Sequence, residues 1–357
     1  MTIHLPIIPN EVFDSSELGK SSELAVFDLH EDVQFGFYFN SAFQSVNYDA
    51  ERYQNEQAFS SIFVSHLKIV ANEIEKRFGK KIRLAEVGCG KGYFFRLLSD
   101  RNFFDLRGFD KTYEGDDTRI AKRYLNISDM PLNADVIVLR HVLEHVQNPV
   151  EFLRDLVKIN GKACSFVIEV PSMDWVIDNS TYWDFTYEHV NYFSSESFKK
   201  IFDNSEIIEV FDRQYLLVFS SSDSLTSRTS FQIRSSNLLT EMISSKIEHS
   251  KLFGLAIGNG DRYWIWGGAT KGILVLYHLL QYKSRVARRP EGIIDINPAK
   301  QGKFSAGTGI EIISPKLFLT TVQNDDVVFV ANPIYKTEVK KFLEASSFSG
   351  VNIQELA

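Results

Sequence analysis

The sequence predicts an α/β protein built from two parallel-sheet units in tandem. Three observations carry this. Short apolar runs at 82–87, 106–110, 135–140 and 164–170 alternate with helical or loop segments, the pattern of parallel strands joined by right-handed crossovers. The alternation starts again at Arg262-Tyr263-Trp264-Ile265-Trp266, after a Ser-rich stretch at 220–224. Each unit opens with a strand that runs into a glycine-rich turn, and 357 residues are more than one compact core usually needs.

Residues 1–36 are mixed, with Pro6, Pro9 and a Ser/Glu-rich piece at 14–23, and predict an irregular arm with at most one short strand. A polar-aromatic patch follows: Phe37 to Phe43, Tyr48-Asp49, then Tyr53-Gln54-Asn55. Such aromatics serve either as packing or as a lid, and residues 1–57 are assigned as arm and tyrosine-rich lid. Ile62, Phe63, Leu67, Val70 and Ile74 share one face of a helix predicted over 60–77.

The first sheet unit, 58–222, is organised around Leu84-Ala85-Glu86-Val87-Gly88-Cys89-Gly90-Lys91-Gly92-Tyr93-Phe94. An apolar strand stops at three glycines, and a helical pattern (Phe94, Phe95, Leu97, Leu98) starts at once. Glycines permit positive φ and close approach of a ligand, and the helix N-terminus offers free N–H groups. Glu86, at the strand end, would repel a pyrophosphate and suits a cationic ligand. Asp110, about twenty residues on, has the spacing of a ribose-binding acid. The third strand runs into Arg140-His141-Val142-Leu143-Glu144-His145-Val146. Pro171 ends the fourth. The segment 172–194 is predicted as a loop rich in aromatic and ionisable side chains, with Ser194 capping a helix. Strands at 206–211 and 215–220 close the unit as a hairpin.

Residues 223–261 form a linker with a helix over 237–253. The second unit, 262–357, holds the turn Gly267–Gly272, a helix over 273–281, strands at 292–295 and 326–332, and a helix over 337–343.

Composition narrows the function. A net charge of −7 argues against general nucleic-acid binding, and the basic run at 285–289 is a solvated face. Cys89 and Cys164 provide neither a disulfide framework nor a zinc site, so no metal is expected. No signal peptide and no apolar run of about 18 residues is evident, which predicts a cytoplasmic protein without a membrane span.

The order of motifs over 82–221 resembles the class I S-adenosylmethionine methyltransferases, with their Rossmann-like sheet and closing hairpin. The resemblance implies S-adenosylmethionine as cofactor, held by Glu86, Gly88, Gly90, Gly92 and Asp110, with Asn126 toward the adenine and Arg140 and His141 as wall residues. More of the chain is similar to the sugar C-methyltransferases, which act on nucleotide-linked 4-ketosugars in deoxysugar biosynthesis. Gly267–Gly272, Ile294-Asp295-Ile296-Asn297-Pro298-Ala299-Lys300-Gln301-Gly302-Lys303 and Gly307-Thr308-Gly309-Ile310 look like that family's C-terminal Rossmann-like domain. Tyr187-Glu188-His189-Val190-Asn191-Tyr192 looks like its Glu-His signature. Two departures are the missing N-terminal cysteines of a zinc module and Thr186 where relatives place a tyrosine.

Methylation at carbon needs a carbanion, hence a base beside a ketone and a donor for the enolate oxygen. His189 is the expected base, oriented by Glu188, or Glu188 is the base itself. His145, Tyr48 and Tyr53 are the expected donors, although His145 could equally serve as a helix cap. Tyr187, Tyr192, Gly267, Gly268 and Lys271 are assigned to the nucleotide-sugar substrate, the last three equally explained as parts of a domain that only closes the site. A monomer or homodimer is expected. The rival functions are an O- or N-methyltransferase on a small metabolite, an NAD-dependent oxidoreductase using Gly267–Gly272, and a scaffold without catalysis.

Overall fold

The computed structural model describes residues 3–48, 51–103, 105–229, 231–247, 262–282, 288–346, 348 and 350–356. Asp49, residues 248–253 of the expected linker helix and residues 285–287 of the basic run lie outside them.

The first sheet has seven strands in the order 205–210, 215–221, 165–171, 136–140, 83–87, 105–109, 120–121. The last five are parallel and the first two form the antiparallel closing hairpin. The four expected parallel strands stand within a residue or so of their predicted limits; the short strand Ile120–Ala121 is an addition. Side chains alternate between two cores: Leu84, Val136 and Val138 face one, Ala85, Val87, Ile137 and Leu139 the other. Both faces are covered, as strands this uniformly apolar require.

The helix Ser61–Phe78 starts at Ser60, whose side chain accepts from the backbone N–H groups of Ile62 and Phe63. Besides its apolar face it buries His66, which the apolar pattern passed over. His66 Nε2 lies 2.5 Å from Glu169 Oε1, and Arg140 Nε donates to Glu169 Oε2 at 2.6 Å. Glu169 has no exposed surface. Burial opposes its charge, but Arg140 and the histidines hold its carboxyl well below the usual range.

The second sheet also has seven strands: 12–13, 303–305, 311–313, 293–294, 263–266, 327–330, 352–355. Its first strand belongs to the N-terminal arm. That arm is therefore not irregular: Ile3–Pro6 pairs with Leu24–Phe27, and Leu29–Asp32 and Phe37–Asn40 form a hairpin. Phe37–Asn40 pairs with Asn191–Tyr192, and Leu29–Asp32 with Ile233–Ser235 of the expected linker. The arm thus joins both sheet units and the segment between them. The segment 172–194 within the first unit is not an open loop either. It contains the helix Met173–Asn179 and a short helical turn Tyr182–Asp184. Trp175, Tyr182, Phe185, Tyr187 and Tyr192 pack in one core with Ile265, Ile273 and Tyr277 of the second unit. Ser220 and Ser221 continue the hairpin strand rather than forming a linker.

Replacing Glu169 by Gln leaves Arg140 without its counter-charge. The expected cost is about 3–5 kcal/mol in urea unfolding. Because the folded carboxyl has a depressed pKa, its stabilisation is complete above the unfolded value near 4.5 and is lost as pH falls through the lower folded one. The variant should lose less stability than wild type on acidification.

Candidate active site

The glycine turn lies at the carboxyl ends of the parallel strands. Gly88 has φ +77°, and a Cβ there would stand 2.3 Å from Val142 Cγ2. The segment after Arg140 therefore lies directly on the turn. Gly90 has φ +53° and open space where its Cβ would be. Its N–H donates to Asp110 Oδ2 at 2.7 Å, while Asp110 Oδ1 accepts from the Thr112 N–H at 2.7 Å. Glu86 is buried, and its Oε2 has no hydrogen-bond partner. Burial pushes its pKa up to about 7, with Arg140 pulling it down and Asp110 raising it further. An unsatisfied carboxylate beside an open glycine backbone fits a ligand with a cationic group.

The segment after the third strand then turns away. His141 adopts φ +52°, and its ring bridges Glu144 (3.2 Å) and Glu169 (3.7 Å). Burial works against its charge, but the two carboxylates outweigh it and push its pKa up to about 9. A short helical turn, Leu143–His145, brings His145 Nδ1 within 2.8 Å of the Glu188 carbonyl. A carbonyl oxygen can only accept, so Nδ1 is the donor in this contact.

Here the arm and the segment 172–194 meet. Tyr53 donates to Glu188 Oε2 at 3.5 Å, and the Tyr48 hydroxyl lies 3.5 Å from His145 Nδ1. The Tyr48 and Tyr53 rings are 4.7 Å apart, and those of His145 and His189 4.8 Å apart, edge to face. Five residues from three distant stretches of sequence, Tyr48, Tyr53, His145, Glu188 and His189, thus form one group. Burial raises the pKa of Glu188, although His145 and the tyrosines pull it down. Burial, then the charge of His145, lowers that of His189 to about 3. Both phenols are raised by burial and by the Glu188 charge. Glu144, His145 and His189 each bring a ligand-capable atom within 4.8 Å of the other two, a donor set for which cysteine counting gives no signal.

Other expected site residues are engaged elsewhere. Tyr187 accepts from the Gln44 N–H at 2.8 Å and so ties down the arm. Tyr192 bonds both the N–H and the carbonyl of Thr186, at 3.0 and 2.8 Å. Both are core residues, less than a tenth exposed, because each hydroxyl is consumed by backbone. Asn126 is exposed and caps the helical turn Ile127–Asp129. Lys271 pairs with Asp184 and lies 4.7 Å over the Trp175 ring. The Gly268 N–H already donates to Asp295 Oδ2 at 2.8 Å, and a Cβ there would meet Asp295 and Ile293. Gly267 keeps φ +115° as a turn residue. The sequence reading missed Asn10 and Lys300, two buried polar residues beside this turn.

Residues 57–206 match the family model of a methyltransferase domain. No curated protein matches the chain. Solved structures with similar folds include a candidate O-methyltransferase from Nostoc punctiforme, 13% identical with TM-score 0.36, covering 45% of this chain and 56% of that one. This chain thus spans little more than half of that protein. An S-adenosylmethionine-dependent methyltransferase from Archaeoglobus fulgidus is 18% identical with TM-score 0.31, covering 42% and 77%. The 1,6-didemethyltoxoflavin N1-methyltransferase of Burkholderia thailandensis is 10% identical with TM-score 0.32, covering 52% and 95%.

The two turn glycines should respond differently to alanine. Gly88→Ala forces a side chain into Val142 at positive φ and should cost about 2–5 kcal/mol in thermal unfolding. Gly90→Ala meets no neighbour and should cost about 1–2 kcal/mol, with its larger effect on ligand binding. Equal losses of stability would contradict the geometry.

Proposed function

We propose that this protein is an S-adenosylmethionine-dependent C-methyltransferase acting on a nucleotide-linked 4-ketosugar. The observation that supports this best is the continuity of residues 140–146, which lie on the glycine turn at Val142 and bond Glu188 through His145. Cofactor turn and proton-handling group are thereby two ends of one short segment.

Glu86 would hold the ammonium of the cofactor's methionine part, and Asp110 its ribose hydroxyls. Gly90, open where its Cβ would be, lets it lie against the backbone. When bound, S-adenosylmethionine supplies an electrophilic methyl group. The chain's own residues supply the carbon nucleophile. Glu188 is the base: burial raises its pKa toward working pH, and Tyr53 steadies it. His189, expected as the base from sequence, is a neutral imidazole whose conjugate acid is disfavoured by burial and by His145. It orients the substrate through hydrogen bonds. Tyr48 and Tyr53 stay protonated and donate. Glu144, His145 and His189 serve these proton and hydrogen-bond roles without a metal.

Three measurements check this reading. In calorimetry, S-adenosylhomocysteine should bind and NAD should not, and Asp110→Ala should weaken the former by about tenfold or more. Elemental analysis of dialysed protein should find far less than one metal ion per chain; one per chain would reassign Glu144, His145 and His189. A 4-ketosugar nucleotide held in deuterated water with S-adenosylhomocysteine should lose its C3 proton signal. Glu188→Gln should slow that exchange by about 10²–10⁴-fold, and His189→Asn far less. The reverse ranking would return the base to His189. A product methylated on oxygen or nitrogen would favour the rival reading.

A further inference from the structure

A buried lysine stands outside the roles above. Lys300 follows the strand Ile293–Ile294 and is 3% exposed. Its ammonium donates to Asn10 Oδ1 at 3.0 Å and to the Gly268 carbonyl at 2.8 Å. Asn10, equally buried, donates to Thr270 Oγ1 at 2.7 Å and to Asn55 Oδ1 at 3.5 Å. Asn55 bonds Tyr53, and Tyr53 donates to Glu188. A line of polar side chains thus runs from the ammonium to the carboxylate. Burial lowers the pKa of Lys300, and the charges of Asp295 and Glu188 oppose this; among the described residues no direct ion pair joins Lys300 to Glu188. Asp295, the other carboxylate that Lys300 senses, already accepts the N–H groups of Gly268 and Asn297 at 2.8 Å each. An ammonium has three donors, and two are accounted for. A buried cation without a contact anion is costly to keep unless a ligand completes it.

We propose that Lys300 is a catalytic residue that binds the oxygen made anionic when Glu188 removes the neighbouring carbon's proton. This rests on the ketosugar reading. In the step, the C–H pair becomes a carbon–carbon π bond and the carbonyl π pair moves to oxygen. The proton passes to the Glu188 carboxylate. Lys300 keeps its three protons and meets the new charge with its remaining N–H. Asn10 is a positioning residue: it holds the ammonium in place without touching substrate.

The test uses the full chain and the exchange of the C3 proton of a 4-ketosugar nucleotide at saturation, with affinities for S-adenosylhomocysteine and for a nucleoside diphosphate measured alongside. Lys300→Met should slow exchange by about 100-fold or more while both affinities stay within about threefold. Lys300→Arg should recover about tenfold of that loss, since it keeps the charge but not the compact head. Asn10→Ser, which keeps the charge and loosens the tether, should slow exchange by about tenfold, and it decides the matter if Lys300→Met does not fold. Exchange at the wild-type rate in Lys300→Met or Asn10→Ser would overturn the proposal. So would a fall confined to nucleoside diphosphate affinity, which would make Lys300 a phosphate ligand. A wild-type protein with no exchange at all would overturn the ketosugar reading and this inference together.

Discussion

A carboxylate with no exposed surface sits inside the first sheet unit. Glu169, on the strand 165–171, takes Arg140 from the neighbouring strand, His66 from the long helix and the edge of His141. Desolvating a carboxylate, a guanidinium and two imidazoles is expensive, and only this close mutual satisfaction makes it sustainable. The cluster fixes Arg140 and sets the strained turn at His141. Everything downstream depends on that turn. Val142 is pressed on Gly88, Glu144 is pinned to His141, and His145 is delivered to the Glu188 carbonyl. The cluster therefore works as a register pin between the glycine turn and the group around Glu188.

The two sheet units repeat one device with different outcomes. In each, a strand ends in a glycine turn whose N–H donates to a carboxylate at the end of the next strand: Gly90 to Asp110, and Gly268 to Asp295. In each, the other carboxylate oxygen accepts the N–H two residues on, from Thr112 or Asn297. The first turn opens on space and a bare carboxylate; the second is filled by Asp295 and Ile293 and closed below by Lys300. A cofactor therefore fits the first turn, and the second turn's polarity is spent on holding Lys300 and Asn10.

The architecture was legible where local pattern and tertiary need agree. The strand 83–87, its glycine turn and the helix 61–78 carry period, cap and composition at once, and they fold as those features require. The N-terminal arm was not legible, since its strands are two to four residues long and three of them find partners more than a hundred residues away. Tyr187 and Tyr192 were misjudged because an aromatic hydroxyl in a polar-looking stretch suggests a ligand, whereas here the backbone of residues 42–44 and of Thr186 takes it. Tyr48, Tyr53, His145, Glu188 and His189 were each named from sequence. What sequence did not yield was their electrostatics, because the burial that raises Glu188 and depresses His189 exists only after the arm has closed over both. Lys300 stayed hidden for a related reason: a lysine in a proline-containing turn gives no local sign of being buried.

The central claim is transfer of a methyl group to carbon. It is tested most directly with S-adenosylmethionine carrying a ¹³C methyl group and a nucleoside-diphosphate 4-ketosugar, following the product by ¹³C NMR. The expected product shows a methyl resonance coupled to the ring carbon beside the retained ketone, with the C3 proton absent. A resonance in the methoxy region, or no labelled product with any such sugar, would contradict it.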